Sequence, residues 1–245
     1  MMVAIRIVGL LYGFILLWCA GLPSIESLKW VIAAAVAMWV YQALLVQGYH
    51  FGDLSFVYPL ARGVAPVILT AFAFLLIGES ISPSQLLGVV SISLGIVTLA
   101  LLGRGSRVAL IYASLIGASV AAYSLLSGAG VRLSGNLFGF SAALEIASGV
   151  GFLLYAAIAR GRSFAPSLVA IGPTGIGAGL LSVVGYLTFL VAANYLPLGP
   201  VSAIRECSAL FGVLIGIFVM REPFGVIRAL GALLMILGIL VLSVH

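Results

Sequence analysis

The stretch "FGDLSFVYPLARGVAPVILTAFAFLLIG", Phe51 to Gly78, sets a permanently charged arginine and two prolines inside an apolar run. It is long enough to cross a bilayer, since a spanning helix needs about 20 apolar residues. A soluble core helix would gain nothing from Arg62, and a lipid-facing one would be penalised for it. The rest of the chain decides between these settings. Of 245 residues, 64% are hydrophobic and 7% charged, with a mean hydropathy of +1.33. Soluble domains carry roughly 25% charged residues, enough to coat a surface in water, and this chain could not. It reads as a polytopic membrane protein.

Gly, Pro, Ser and charged residues divide the sequence into nine apolar segments: 5–22, 29–49, 54–77, 84–102, 107–128, 137–159, 168–194, 199–220 and 224–243. All are read as helices, because only helices and closed barrels satisfy their own backbone polar groups in lipid. The expected fold is therefore an all-α helical bundle forming one integral membrane domain, with about nine transmembrane helices and short connections. The first segment resembles a signal peptide but is long enough to span, and it reads as a retained helix. The net charge of +5 comes from basic residues standing singly between apolar runs. That pattern fits membrane topology and argues against a nucleic-acid partner. Arg6, Arg104, Arg107, Arg160, Arg162, Arg221 and Arg228 fall on one side under this count, Lys29 and Arg132 on the other. The first group is expected in the cytoplasm, with His245 outside.

Internal repetition carries the functional argument. At an offset of 143, Arg62 meets Arg205, Glu79 meets Glu222, Gly88 meets Gly231 and Gly95 meets Gly238, with Pro23 meeting Pro166 upstream. The third span thus corresponds to the eighth and the fourth to the ninth. A shift of five spans, an odd number, turns one half upside down relative to the other. The repeats are taken as 1–103, with four helices, and 104–245, with five. Inverted-topology repeats imply a secondary transporter working by alternating access, its site near the midplane. The fifth span has no counterpart ahead of residue 1. A ten-helix protein of which this chain lacks the first helix is the expectation, and a nine-helix protein is the alternative.

The pair "GDLSFVYPLARGVAP…LLIGE" and "LPLGPVSAIRECSALFG…REP", each followed by an "LG……LGI" helix, resembles the EamA-type transporters of the drug/metabolite transporter superfamily, and within them the branch associated with phosphonate utilisation. The resemblance implies ten helices in two inverted halves and export or exchange of small metabolites across the cell's inner, or plasma, membrane. A non-transporting scaffold or accessory subunit is the competing reading. A membrane-embedded enzyme would need a nucleophile, a metal cluster or paired acids, and the scattered carboxylates and two isolated histidines, His50 and His245, do not supply them.

Arg62 and Arg205 each lie about 10 Å into their spans at 1.5 Å per residue, so both approach the middle of the membrane. An arginine at depth should face a partner or a wet cavity, and its forked donors suit carboxylate, phosphate or phosphonate. Two readings stay open: recognition of an anionic or zwitterionic small molecule, or a structural tie to an acid. Tyr58, Tyr123 and Tyr186 are candidate substrate contacts beside the arginines; Gln42, Gln47 and Asn194 are further polar residues within spans. Glu145, the deepest carboxylate, and Glu206 are candidates for ion coupling or for pairing with an arginine. Glu206 adjoins Arg205 but projects about 100° away on a regular helix, so the two are not expected to neutralise each other simply. Glu79 and Glu222 read as helix-end anchors, Asp53 with Ser55 as the cap of the third span, and Cys19 and Cys207 as packing residues. No metal or cofactor is implied. Small-molecule substrate and membrane lipids are the expected partners, and association as a homodimer stays open.

Overall fold

The computed structural model describes residues 2–101, 103, 105–160, 172–211 and 225–244. Pro166, Arg104, Arg162, Arg221, Glu222 and His245 lie outside the described residues, as does the end of the expected eighth span, 212–220. Every element within them is helical: α1 Met2–Ala20, α2 Ile25–Gly48, α3 Leu54–Ile77, α4 Pro83–Ala100, α5 Arg107–Arg132, α6 Leu137–Arg160, α7 Pro173–Tyr195, α8 Leu198–Glu206 and α9 Val226–Ser243. Eight of them are long and apolar enough to cross a membrane. The exception is α8, which stops where a continuous span over 199–220 was expected. At Cys207 the backbone N–H bonds to Ile204 three residues back, a tightened turn, before a further short helical stretch to Phe211.

The helices divide into two compact units, residues 1–39 with 126–195 and residues 40–125 with 196–245. Compactness therefore groups parts of both sequence repeats. In the first unit α1, α6 and α7 pack on one another. Glycines allow the approach of α1 to α6: a Cβ at Gly13 would lie 3.0 Å from the Ala142 carbonyl oxygen, and at Gly9 2.7 Å from the Glu145 carboxylate. The start of α6 is fixed by Asn136, whose side-chain oxygen accepts from the Gly139 N–H at 3.0 Å while its amide donates to the Ala20 carbonyl at 2.7 Å.

In the second unit the antiparallel pair α4 and α9 bears directly on the repeat. A Cβ at Gly95 would stand 2.6 Å from Gly231 O, 2.7 Å from Met235 Cγ and 2.9 Å from Met235 N. At Gly238 it would stand 2.8 Å from Gly88 O, 2.6 Å from Ile92 Cγ1 and 2.9 Å from Ile92 N. Adding 143 to Gly95 gives Gly238, and adding it to Ile92 gives Met235, so the two environments are copies with the helices exchanged. Gly88 against Leu242 and Gly231 against Leu99 repeat the relation. A two-fold axis perpendicular to both helices produces this crosswise pairing, and such an axis inverts one span relative to the other.

Around this pair α3 packs on α4, and α8 on both. Gly199 of α8 sits against Thr70 of α3, while Glu206 reaches Arg62, so the two helices run antiparallel. Helix α3 ends on Gly78, at φ +66°, a left-handed conformation that suits glycine. The turn delivers Glu79, whose Oε2 accepts the Leu198 N–H at 2.9 Å and so caps the first turn of α8. Its expected role as an anchor is this contact. Asp53 occupies the N-cap position of α3 but makes no side-chain cap bond, contrary to expectation.

Candidate functional site

Arg62 and Arg205 converge on one acid, and that acid is Glu206. Arg62 Nη1 donates to Glu206 Oε1 at 2.9 Å; Arg205 donates to the same oxygen through Nε at 3.1 Å and Nη2 at 2.9 Å. The expectation that Arg205 and Glu206 would point apart is overturned. A regular helix separates neighbours by about 100°, but two long side chains at a helix end can fold onto each other. The Glu206 side chain is 2% exposed. A carboxylate this deep is tolerated only when paired and hydrogen-bonded, and two guanidiniums supply that.

The two arginines are held differently. Arg205 spends its Nε/Nη2 edge on Glu206, with Nη2 also 3.4 Å from Ser124 Oγ of α5. Arg62 uses only Nη1 there. On its own Nε/Nη2 edge, Nη2 donates to the Tyr58 hydroxyl at 3.2 Å, and Nε is buried without a hydrogen-bond partner among the described residues. The guanidinium also lies over the Tyr58 ring, 5.3 Å from its centroid, a cation–π arrangement. Arg62 lies about 12 Å along α3 from its start, and Arg205 about 10 Å along α8, which runs the other way. The prolines at 59 and 66 lie within α3 and lack the N–H that would bond four residues back, which adds polar backbone near this level.

Tyr123 belongs to the same unit and packs against Tyr41 at 5.7 Å between ring centroids. Tyr41 was not singled out from sequence; its spacing on α2 says only that it is one aromatic among many. Tyr49, at the end of α2, lies outside the spanning segments. Its phenol is pushed up to about 12 by burial and by the Tyr58 phenol, with the Arg62 guanidinium pulling the other way. Further buried polar atoms of this unit lack partners among the described residues: both amide atoms of Gln42 and the hydroxyl of Ser202, one turn before Glu206 on α8.

The remaining candidates lie elsewhere. Tyr186 is in the first unit and donates to Ser127 Oγ at 2.8 Å. Glu145 is there too, and its arginine is Arg6, at 3.8 Å, with Arg6 Nη1 also 3.4 Å from Ser148 Oγ. Counting loop charges had set Arg6 among the flanking residues. In the structure it sits in the second turn of α1 and points to α6, a pairing across 139 residues of sequence that no local signal announces.

These features define a class first: a multi-pass helical membrane protein with an inverted helix pair and a charged cluster at depth. Residues 107–244 match the EamA-like transporter family, and the chain belongs to that family, a family of membrane transporters within the drug/metabolite superfamily. A search of curated proteins returned no match. Among solved structures it is similar to one described only as "Crystal structure of protein", with a TM-score of 0.73 and 14% identity over 99% of this chain and 85% of that one. At that identity the likeness speaks for the fold.

Proposed function

We propose that the chain is a secondary transporter of the plasma (inner) membrane that exports or exchanges a small anionic or zwitterionic metabolite by alternating access, with Arg62 as the principal anion contact. The observation carrying this reading is the state of Arg62: it gives Glu206 only Nη1, so the positive charge on its other edge is not spent on that acid. That charge has a direction, because the Nε/Nη2 edge of Arg62 is the side of a guanidinium that takes a carboxylate or phosphonate in parallel hydrogen bonds. Arg205 supports the site by holding Glu206, Tyr58 stands where a ligand oxygen would arrive, and Tyr123 with Tyr41 supplies an aromatic wall. A phosphonate, as in the branch the sequence resembles, and a carboxylate share the required geometry.

Arg62→Lys keeps the charge and loses the fork. Calorimetry with methylphosphonate, inorganic phosphate and acetate on purified protein should show binding of at least one. Loss of one charged hydrogen bond is worth about 1.5–3 kcal/mol, so Arg62→Lys should weaken it roughly 10- to 100-fold. Arg205→Lys should weaken it less, through Glu206. Unchanged affinity in both variants would make the arginines a structural tie.

A further inference from the structure

The connections at the start of α3 enclose a cavity that the arginine cluster does not use. It measures about 450 Å³, is open to the surface, and is lined by residues including Tyr49, His50, Phe51, Asp53 and Ser106. Small-molecule sites span about 300–1,000 Å³. Its walls are fixed by specific contacts. Gly52 and Gly105 form an isolated antiparallel bridge, tying the connection before α3 to the one before α5. Ser106 Oγ donates to the Phe51 carbonyl at 3.1 Å and accepts from the Ala109 N–H at 3.1 Å. The Phe51 ring stacks on Tyr112 at 5.1 Å. His50 Nδ1 lies 2.9 Å from the Val46 carbonyl. Since a carbonyl only accepts, Nδ1 carries a proton, which leaves Nε2 to face solvent or a solute.

Tyr49 connects this cavity to the depth of the unit. It lines the cavity, and it also packs against the buried cluster that includes Val57 and Ala61, the neighbours of Tyr58 and Arg62 on α3. Along α3 the order is Asp53 at the cap, Tyr58 five residues on and Arg62 nine residues on, about 8 and 14 Å along the axis. Tyr58 is 38% exposed, and its hydroxyl holds the same Arg62 nitrogen that would receive a ligand.

We propose that this cavity is the mouth of the arginine site: a small anion from the water at this face passes His50 and Tyr49 and reaches Arg62 by displacing the Tyr58 hydroxyl. This rests on the reading of Arg62 as an anion contact. The chemistry along the route suits such a solute. The imidazole of His50 and the phenols of Tyr49 and Tyr58 offer hydrogen bonds in succession, and the exposed Arg107 begins α5 next to the lining residue Ser106. Asp53 is the acid of the lining and disfavours solutes of high negative charge.

The test needs no knowledge of the natural substrate. In a Cys207→Ser background that keeps Cys19 as an internal reference, Tyr58→Cys is treated with a small anionic thiosulfonate, and both sites are followed by peptide mass spectrometry. Thiol reactions follow access, so adding His50→Trp, which fills the cavity, should slow Tyr58→Cys about tenfold or more and leave Cys19 unchanged. Phe51→Ala widens the cavity and should speed the same reaction, which keeps the test decisive if the tryptophan variant does not fold. Rates at Tyr58→Cys that neither variant moves would overturn the proposal. A cationic reagent of equal size tests the underlying reading separately. Preference for the anion, lost in Arg62→Gln, upholds it; equal rates for both reagents, with His50→Trp still slowing them, would refute the anion site and leave the mouth standing.

Discussion

Gly95→Ala isolates the contact on which the inverted pairing of α4 and α9 depends. The added Cβ would stand 2.6 Å from Gly231 O and 2.9 Å from Met235 N. Backbone atoms cannot rotate away as a side-chain end can, so the helices must separate. Restoring an ordinary contact of about 3.4 Å to the carbonyl requires roughly 0.8 Å, and the helix pair loses close packing along its length. Overpacking of this kind costs about 1–3 kcal/mol, while replacing glycine by alanine within a helix returns up to about 1 kcal/mol. The net expectation is destabilisation of about 1–2 kcal/mol. Gly238→Ala meets the copied environment, Gly88 O at 2.8 Å and Ile92 N at 2.9 Å, and should cost the same within experimental error. Gly185→Ala in α7 meets nothing within 4 Å and should be neutral or stabilising by up to about 1 kcal/mol. Unfolding in mixed micelles, followed by circular dichroism at increasing denaturing-detergent fraction, measures all three. If Gly95→Ala stabilises as Gly185→Ala does, close backbone packing does not hold the pair. If Gly95→Ala and Gly238→Ala differ by as much as either differs from the parent, the two-fold equivalence is wrong.

Three further outcomes follow from single contacts. Glu206→Gln leaves two guanidiniums facing each other without their carboxylate; breaking a buried pair costs about 3–5 kcal/mol, and the partial exposure of both arginines puts the expected loss near the lower end, read as a fall in thermal midpoint in detergent. Arg6→Gln removes a partner that lies 3.8 Å from Glu145 and is itself 20% exposed. It should cost about 1 kcal/mol or less, and Arg6→Gln with Glu145→Gln should recover most of it; a cost as large as that of Glu206→Gln would show a tighter pair than this geometry allows. Ser82→Ala abolishes the capping box of α4, in which Ser82 Oγ accepts from Gln85 N at 3.2 Å and Gln85 Oε1 from Ser82 N at 3.1 Å, and should lower stability by about 1 kcal/mol in the same unfolding assay.

Eight of the nine expected spans were legible in composition, since an apolar run in lipid has one local way to satisfy its backbone, whereas the end of α8 at Glu206 was not. The expected limits of the third span, 54–77, coincide with α3, and the glycines found at an offset of 143 are the ones that meet in α4 and α9. The positions of Arg62 and Arg205 along their helices were legible for the same reason, being a count of residues. What only the tertiary structure decided was partnership. A helix that is apolar nearly all round carries little signal of which face meets which neighbour, so nothing in the sequence joined Arg6 to Glu145 or Tyr41 to Tyr123. Glu206 became the acid shared by both arginines because long side chains reach across the angle between neighbours and because α3 packs against α8 at that level. Spans are a one-dimensional property of composition, whereas a charged cluster exists only once helices distant in sequence have packed.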